Sequence, residues 1–185
     1  MERREFIKHS AAVATVTAVG GFKSVSGSEL ARCPNTIVLV DERYSDSRRF
    51  AASFAAQGAT LISLERDIGQ LWYGELREHC AVSHATIAGL TQHTDLFVSQ
   101  LFARDIGKSL VHVGTHDCRG RRTLSHSLPA DIDLADVDAA GGDWAEQLAR
   151  TMIAKRAFSE STIKRDTTVE RASDHPGSLF SWMIV

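Results

Sequence analysis

The chain has 185 residues, 43% of them hydrophobic and 24% charged, with a formal net charge of −2 at pH 7. That length and balance suit one soluble globular domain, and they give no reason to expect nucleic acid or an acidic membrane surface as a partner. No apolar run approaches the ~20 residues that a membrane-spanning helix needs, so stable membrane insertion is not expected.

The chain opens on Met1-Glu-Arg-Arg-Glu-Phe-Ile-Lys8, continues through the mildly apolar stretch Ser10–Phe22, and then reaches Lys23 and small residues. A charged start, a short weakly hydrophobic stretch and a following basic residue form the pattern of a secretory signal. The motif Arg3-Arg4-Glu5-Phe6-Ile7-Lys8 resembles the signal peptide of proteins exported through the twin-arginine pathway, with Arg3, Arg4, Phe6 and Lys8 carrying the resemblance and Glu2 standing where Ser or Thr is usual. The resemblance implies passage through the twin-arginine translocase in the folded state, delivery to the periplasm, and travel with a bound cofactor or as one subunit of a co-exported enzyme. The nearest small-x-small triplet is Ser24-Val25-Ser26, so cleavage is expected after Ser26. Residues 1–26 are thus read as signal and 27–185 as one α/β domain.

From Asn35 to Gly114, four short apolar runs alternate with helix-like segments. The runs are 36–40, 59–64, 85–90 and 110–114. After the first, Ser45-Asp46-Ser47 offers an N-cap, Phe50, Ala51, Phe54 and Ala55 repeat at helical spacing, and Gly58 supplies a stop. Leu71, Trp72 and Leu76, on to His79, mark a second helix interrupted by Gly74. A third is expected after Thr91-Gln92-His93-Thr94-Asp95, with Leu96, Phe97, Leu101 and Phe102 on one face and Gly107 at its end. This β-α-β-α-β-α-β order predicts a three-layer domain with a mostly parallel sheet, flavodoxin-like or Rossmann-like.

The fourth strand runs into Thr115-His116-Asp117-Cys118, and the alternation over 123–128 suggests a hairpin that adds an antiparallel strand. Pro129 to Gly142 reads as a long loop. Asp143 then caps a helix with Trp144, Leu148, Met152 and Ile153 inward, and 159–174 is polar and unassigned. Ser178 to Val185 looks like a final buried strand after the His175-Pro176-Gly177 turn.

Ligands of open parallel sheets bind outside the carboxyl ends of the strands, where the chain order reverses. If the first strand lies between the second and third, the loops after the first and third share one crevice. The candidate site is therefore Asp41, His93, His116 and Asp117 for acid–base work, with Arg43, Tyr44, Thr91 and Thr115 for ligand binding. His112, mid-strand, is expected to be a hydrogen-bonded core residue. No Cys-x-x-Cys spacing occurs, and no metal is expected; no stretch names a cofactor; and no Gly-x-Ser-x-Gly elbow is present. A Cys33–Cys80 disulfide is conceivable, since both precede strands at the amino edge of the sheet, with Cys118 left as a free thiol. Two functions fit: an accessory or ligand-binding subunit of an exported redox enzyme system, or a small hydrolase or lyase using the His/Asp set.

Overall fold

A computed structural model describes residues 33–64, 68–119, 123–155, 158, 160–168 and 177–185. The N-terminal motif with Arg3, Arg4, Phe6 and Lys8, and the Glu65-Arg66-Asp67 and Gly120-Arg121-Arg122 clusters, lie outside the described residues.

Strand β1 (Thr36–Val40) is buried along its whole length, as expected for a β-branched run with helices on both faces. It lies between β2 (Thr60–Ser63) and β3 (Thr86–Thr91), parallel to both. Helix α1 (Ser45–Ala55) crosses from β1 to β2 and buries Phe50, Ala51 and Phe54. Gly58 follows it at φ +88°, a left-handed position that favours glycine. The second crossover is α2 (Ile68–Leu71), a π-helical turn (Trp72–Leu76) carrying Gly74, and α3 (Arg77–Ser83). Helix α4 (His93–Arg104) follows β3.

The remaining strands are β4 (Leu110–Arg119), β5 (Thr123–Pro129), β6 (Thr162–Thr168) and β7 (Ser178–Ile184). Together the seven strands form one mixed sheet of order β2-β1-β3-β7-β4-β5-β6. The expected fourth parallel neighbour is displaced: β7 inserts between β3 and β4 and runs antiparallel to each. The sheet is thus parallel at the β2-β1-β3 end and antiparallel from β7 to β6. The expected hairpin is present as β4–β5, paired through His116↔His126.

Three other expectations change. The 129–142 segment is not a loop throughout but holds α5 (Leu134–Ala139) and a 3-10 turn (Gly141–Asp143) ahead of α6 (Trp144–Ala154). Part of the unassigned 159–174 stretch is β6, the far edge strand. On α4, Leu96 and Ala103 face the core and Phe102 packs against it, whereas Phe97 and Leu101 remain 51% and 44% exposed. Leucine and phenylalanine at neighbouring helical positions cannot all share one ~100° stripe, and the interior takes only part of the set.

The sheet separates two cores. Helices α1, α5 and α6 pack with Val38, Val40, Ala88, Leu90, Leu124, Leu128, Leu179 and Met183 on one side. On the other, α2 to α4 and the π-helical turn pack with Ile37, Leu39, Ile87, Trp182 and Ile184. Cys33 belongs to the first core and Cys80 to the second, and both are free thiols. The sheet keeps them apart, so the disulfide does not form.

Close packing against β7 is specific. A Cβ built on Gly89 would lie 2.6 Å from Cζ2 of Trp182, whose indole N–H donates to Thr91 Oγ1 at 3.0 Å. At Gly74 nothing lies within 4 Å of such an atom. Gly89→Ala should therefore cost about 1–3 kcal/mol through overpacking, whereas Gly74→Ala should be neutral or stabilise by up to about 1 kcal/mol. Urea unfolding followed by tryptophan fluorescence checks both; equal effects would contradict this packing.

Candidate functional site at the strand ends

Because β1 sits between β2 and β3, with α1 on one face and α4 on the other, the chain order reverses between the carboxyl ends of β1 and β3. This is the crevice position of open α/β sheets. A hydrogen-bonded cluster is built there. Asp41, 2% exposed, ends β1, and its backbone N–H donates to Ser47 Oγ at 3.0 Å. Its carboxylate accepts Nε of Arg43 at 2.8 Å on Oδ1 and Nη2 at 2.7 Å on Oδ2, a bidentate pair, with the Arg43 backbone N–H adding a contact of 3.2 Å to Oδ1. The guanidinium carbon also lies 5.3 Å from the centroid of the Tyr44 ring. From the β3 side, Gln92 donates through Nε2 to the Tyr44 hydroxyl at 2.8 Å.

The electrostatics follow from this packing. The Asp41 hydrogen bonds hold Arg43 firmly protonated. Burial, reinforced by the Asp41 charge, pushes Asp95 above its ordinary carboxyl value, against the pull of Arg43. The crevice thus offers one orienting carboxylate, one fixed guanidinium, an amide–phenol pair and a half-buried carboxyl group. Asp41, already holding Arg43, is poorly placed to take a proton from a ligand; the cluster is built to position donors.

The remaining candidates are dispersed. His93 is the first residue of α4, is exposed, and lies edge-on to Phe180 with ring centroids 5.2 Å apart. Thr91 is fully buried and is taken by Trp182. Thr115, His116 and Asp117 do not lie in a rim loop, because β4 continues to Arg119. Strand alternation sends them to opposite faces. Asp117 accepts from Ser178 Oγ at 2.5 Å, while His116, fully buried, faces the α6 core. Asp41 and Arg43 come together with Tyr44; His116 and Asp117, on β4 beyond β3 and β7, do not join them, and His93, next to Gln92, sets its ring against Phe97 and Phe180.

A polar chain that sequence spacing did not reveal surrounds His116. Ser181 Oγ lies 3.0 Å from His112 Nε2 and 2.9 Å from His116 Nε2, and His116 Nδ1 lies 2.7 Å from His126 Nδ1. His112 is the hydrogen-bonded core residue its mid-strand position predicts, and its burial pushes it down to about 4, so it is neutral at pH 7. His126 lay in the predicted hairpin. The only signal available was the shared alternation of His112, Gly114 and His116, which puts them on one face.

The Asp41–Arg43 pair is half exposed on the arginine side, at 65%, which moderates its value. A double-mutant cycle of Asp41→Asn and Arg43→Leu should give a coupling of about 1 kcal/mol, with Arg43→Leu alone costing about 1–2 kcal/mol because it strips a buried carboxylate of its partner. Denaturant unfolding measures it; zero coupling would remove the pair from the account of the site.

No protein-family model matches the chain, and no curated protein or solved structure matches it.

Proposed function

We propose that this chain is an exported accessory subunit that binds a co-exported enzyme, a redox enzyme in the simplest case, and performs no catalysis itself. The single observation behind this reading is the apolar surface on the α4 side of the sheet. Phe97 and Leu101, one turn apart on α4, are 51% and 44% exposed, and Val113 on the same side of the neighbouring β4 is 43% exposed. Tyr73, 72% exposed, sets its ring edge-on to Phe102 of α4 at 5.5 Å between centroids. Large apolar side chains gathered on one side of a soluble domain mark a contact surface. The alternative reading, a hydrolase or lyase, requires an imidazole beside Asp41 or Asp117, and those carboxylates bind Arg43 and Ser178 instead.

The export half of the proposal rests on Arg3-Arg4-Glu5-Phe6-Ile7-Lys8 and the weakly apolar stretch after it. A folded-state route suits a subunit that leaves the cytoplasm already bound to its enzyme. The crevice at Asp41, Arg43 and Tyr44 is the position at which a flavodoxin-like sheet, sharing the order β2-β1-β3, holds a ligand; a small ligand there is compatible with the accessory role.

Two experiments test the proposal in the native host with the tagged full-length chain. Arg3→Lys with Arg4→Lys should retain the protein in the cytoplasm on fractionation; undiminished periplasmic delivery would overturn the export claim. Phe97→Glu with Leu101→Glu should abolish stoichiometric co-purification of a single partner while leaving the circular dichroism spectrum unchanged. A wild-type chain that purifies alone, or a partner retained by the variant, would overturn the accessory role.

A further inference from the structure

The histidine chain lies inside the sheet and serves neither the crevice nor the apolar surface. Its rings come from two strands, with His112 and His116 on β4 and His126 on β5, and its hydroxyl is Ser181 of β7. Trp144, the first residue of α6, covers both inner rings, its centroid 4.6 Å from that of His116 and 5.0 Å from that of His126. All four polar residues are 2% exposed or less.

The proton count in this chain is constrained. A contact of 2.7 Å between two Nδ1 atoms requires one proton between them: one ring donates and the other presents a lone pair. His116 is engaged at both nitrogens, so its tautomer sets the direction of every bond outward from it. If His116 donates through Nδ1, its Nε2 accepts from the Ser181 hydroxyl, which accepts from His112 Nε2–H. A first added proton is absorbed on His116 Nε2, which then donates to Ser181, while the hydroxyl turns toward His112 and His112 moves its own proton to Nδ1. Every hydrogen bond survives. A second proton can only occupy the remaining Nδ1, and two N–H groups then point at each other across the contact.

We propose that the His116–His126 pair is a proton-operated latch: one shared proton holds β5 and α6 against β4 and β7, and a second imidazolium in acid parts the rings and loosens that side of the sheet. The neighbouring residues of this core, Leu124 and Leu128 on β5, Leu148 and Met152 on α6, and Leu179 and Met183 on β7, are apolar. The titratable and charged groups nearby are Cys118, packed against the same core on β4; Asp131, paired with Lys155 at 3.2 Å and acting on His112; and Arg165, cross-strand from His126 on β6. Asp117 is turned to the opposite face, where it holds Ser178. His112, pushed down to about 4, stays neutral in the closed sheet; once exposed to water it also takes up a proton below pH ~6.5, so it adds its own smaller acid response to that of the pair.

Amide hydrogen exchange of the full-length chain between pH 7.5 and pH 5, corrected for intrinsic rates, tests the latch. The expected result is a loss of protection of about tenfold or more in β5 and α6 in acid, with β1 and β3 still protected. His126→Leu, which replaces one ring with an apolar side chain among leucines, should reduce that loss severalfold, leaving the part that His112 contributes. Uniform loss across the sheet, no loss in β5 and α6, or an unchanged loss in His126→Leu would overturn the proposal. If His126→Leu does not fold, His126→Gln, which keeps a hydrogen-bonding side chain but takes up no proton, replaces it, and an unchanged loss there overturns the proposal.

Discussion

The insertion of β7 between β3 and β4 is the constraint on which the rest of the structure depends. Backbone pairing from Ile87↔Ile184 to Thr91↔Phe180 on one side, and from Leu110↔Ile184 to Asp117↔Ser178 on the other, joins a parallel half to an antiparallel half. Without β7, the β2-β1-β3 unit and the β4-β5-β6 unit would each present an open edge of unpaired N–H and C=O groups. Its side chains work on both faces. Trp182 fills the space left by Gly89 and donates to Thr91, while Ser181 lies over Gly114 and binds two histidines. A Cβ on Gly114 would likewise crowd Leu128 Cδ2 and come 2.7 Å from Ser181 Oγ, so both side chains would have to shift.

The polar chemistry of the molecule divides along the same line. At the parallel end, the reversal of chain order gathers Asp41, Arg43, Tyr44, Gln92 and Asp95 into an exposed crevice where a guanidinium is held in place. At the antiparallel end, histidines sit inside the sheet under Trp144. A buried polar group costs free energy unless it is hydrogen-bonded, and His112, His116 and His126 meet that cost through one another and Ser181. The first cluster faces solvent and suits recognition; the second is closed off and suits control of the fold. The sheet keeps the two clusters apart: no hydrogen bond among the described residues joins the buried histidines to Asp41 or Arg43.

The apolar α4 surface has a related origin. Helix α4 packs on β7, α2 and β3, and β4 beyond it carries Val113 on the same side, 43% exposed. On the outer flank of α4, Phe97 and Leu101 stay about half exposed, Phe97 stacking only on His93 one turn earlier, with ring centroids 6.3 Å apart.

Much of the parallel end was legible from residues 35–107. A fully apolar β-branched run, helical repeats and a glycine just past a helix each act locally: Gly58 and Gly107 both take positive φ where the pattern expected helices to stop. The crevice was legible too, once β1 was assumed to lie between its neighbours, because strand ends of one direction share a rim. What could not be read was pairing. The run at 110–114 looked like a strand ending at Gly114, since Thr115, His116 and Asp117 are polar, yet these residues continue β4: β7 and β5 flank it and satisfy its backbone on both sides. Polarity marks a strand end only where water is the neighbour, and here the neighbours are Ser181, His126 and Trp144. The sequence by itself determined the alternating elements of the parallel end, their stops and the grouping of Asp41, Arg43 and Tyr44, because these depend on residues near one another in the chain. Only the tertiary structure decided where β7 enters, which half of α4 stays exposed and which histidines meet, because those depend on hydrogen bonds and packing between segments some 10 to 90 residues apart.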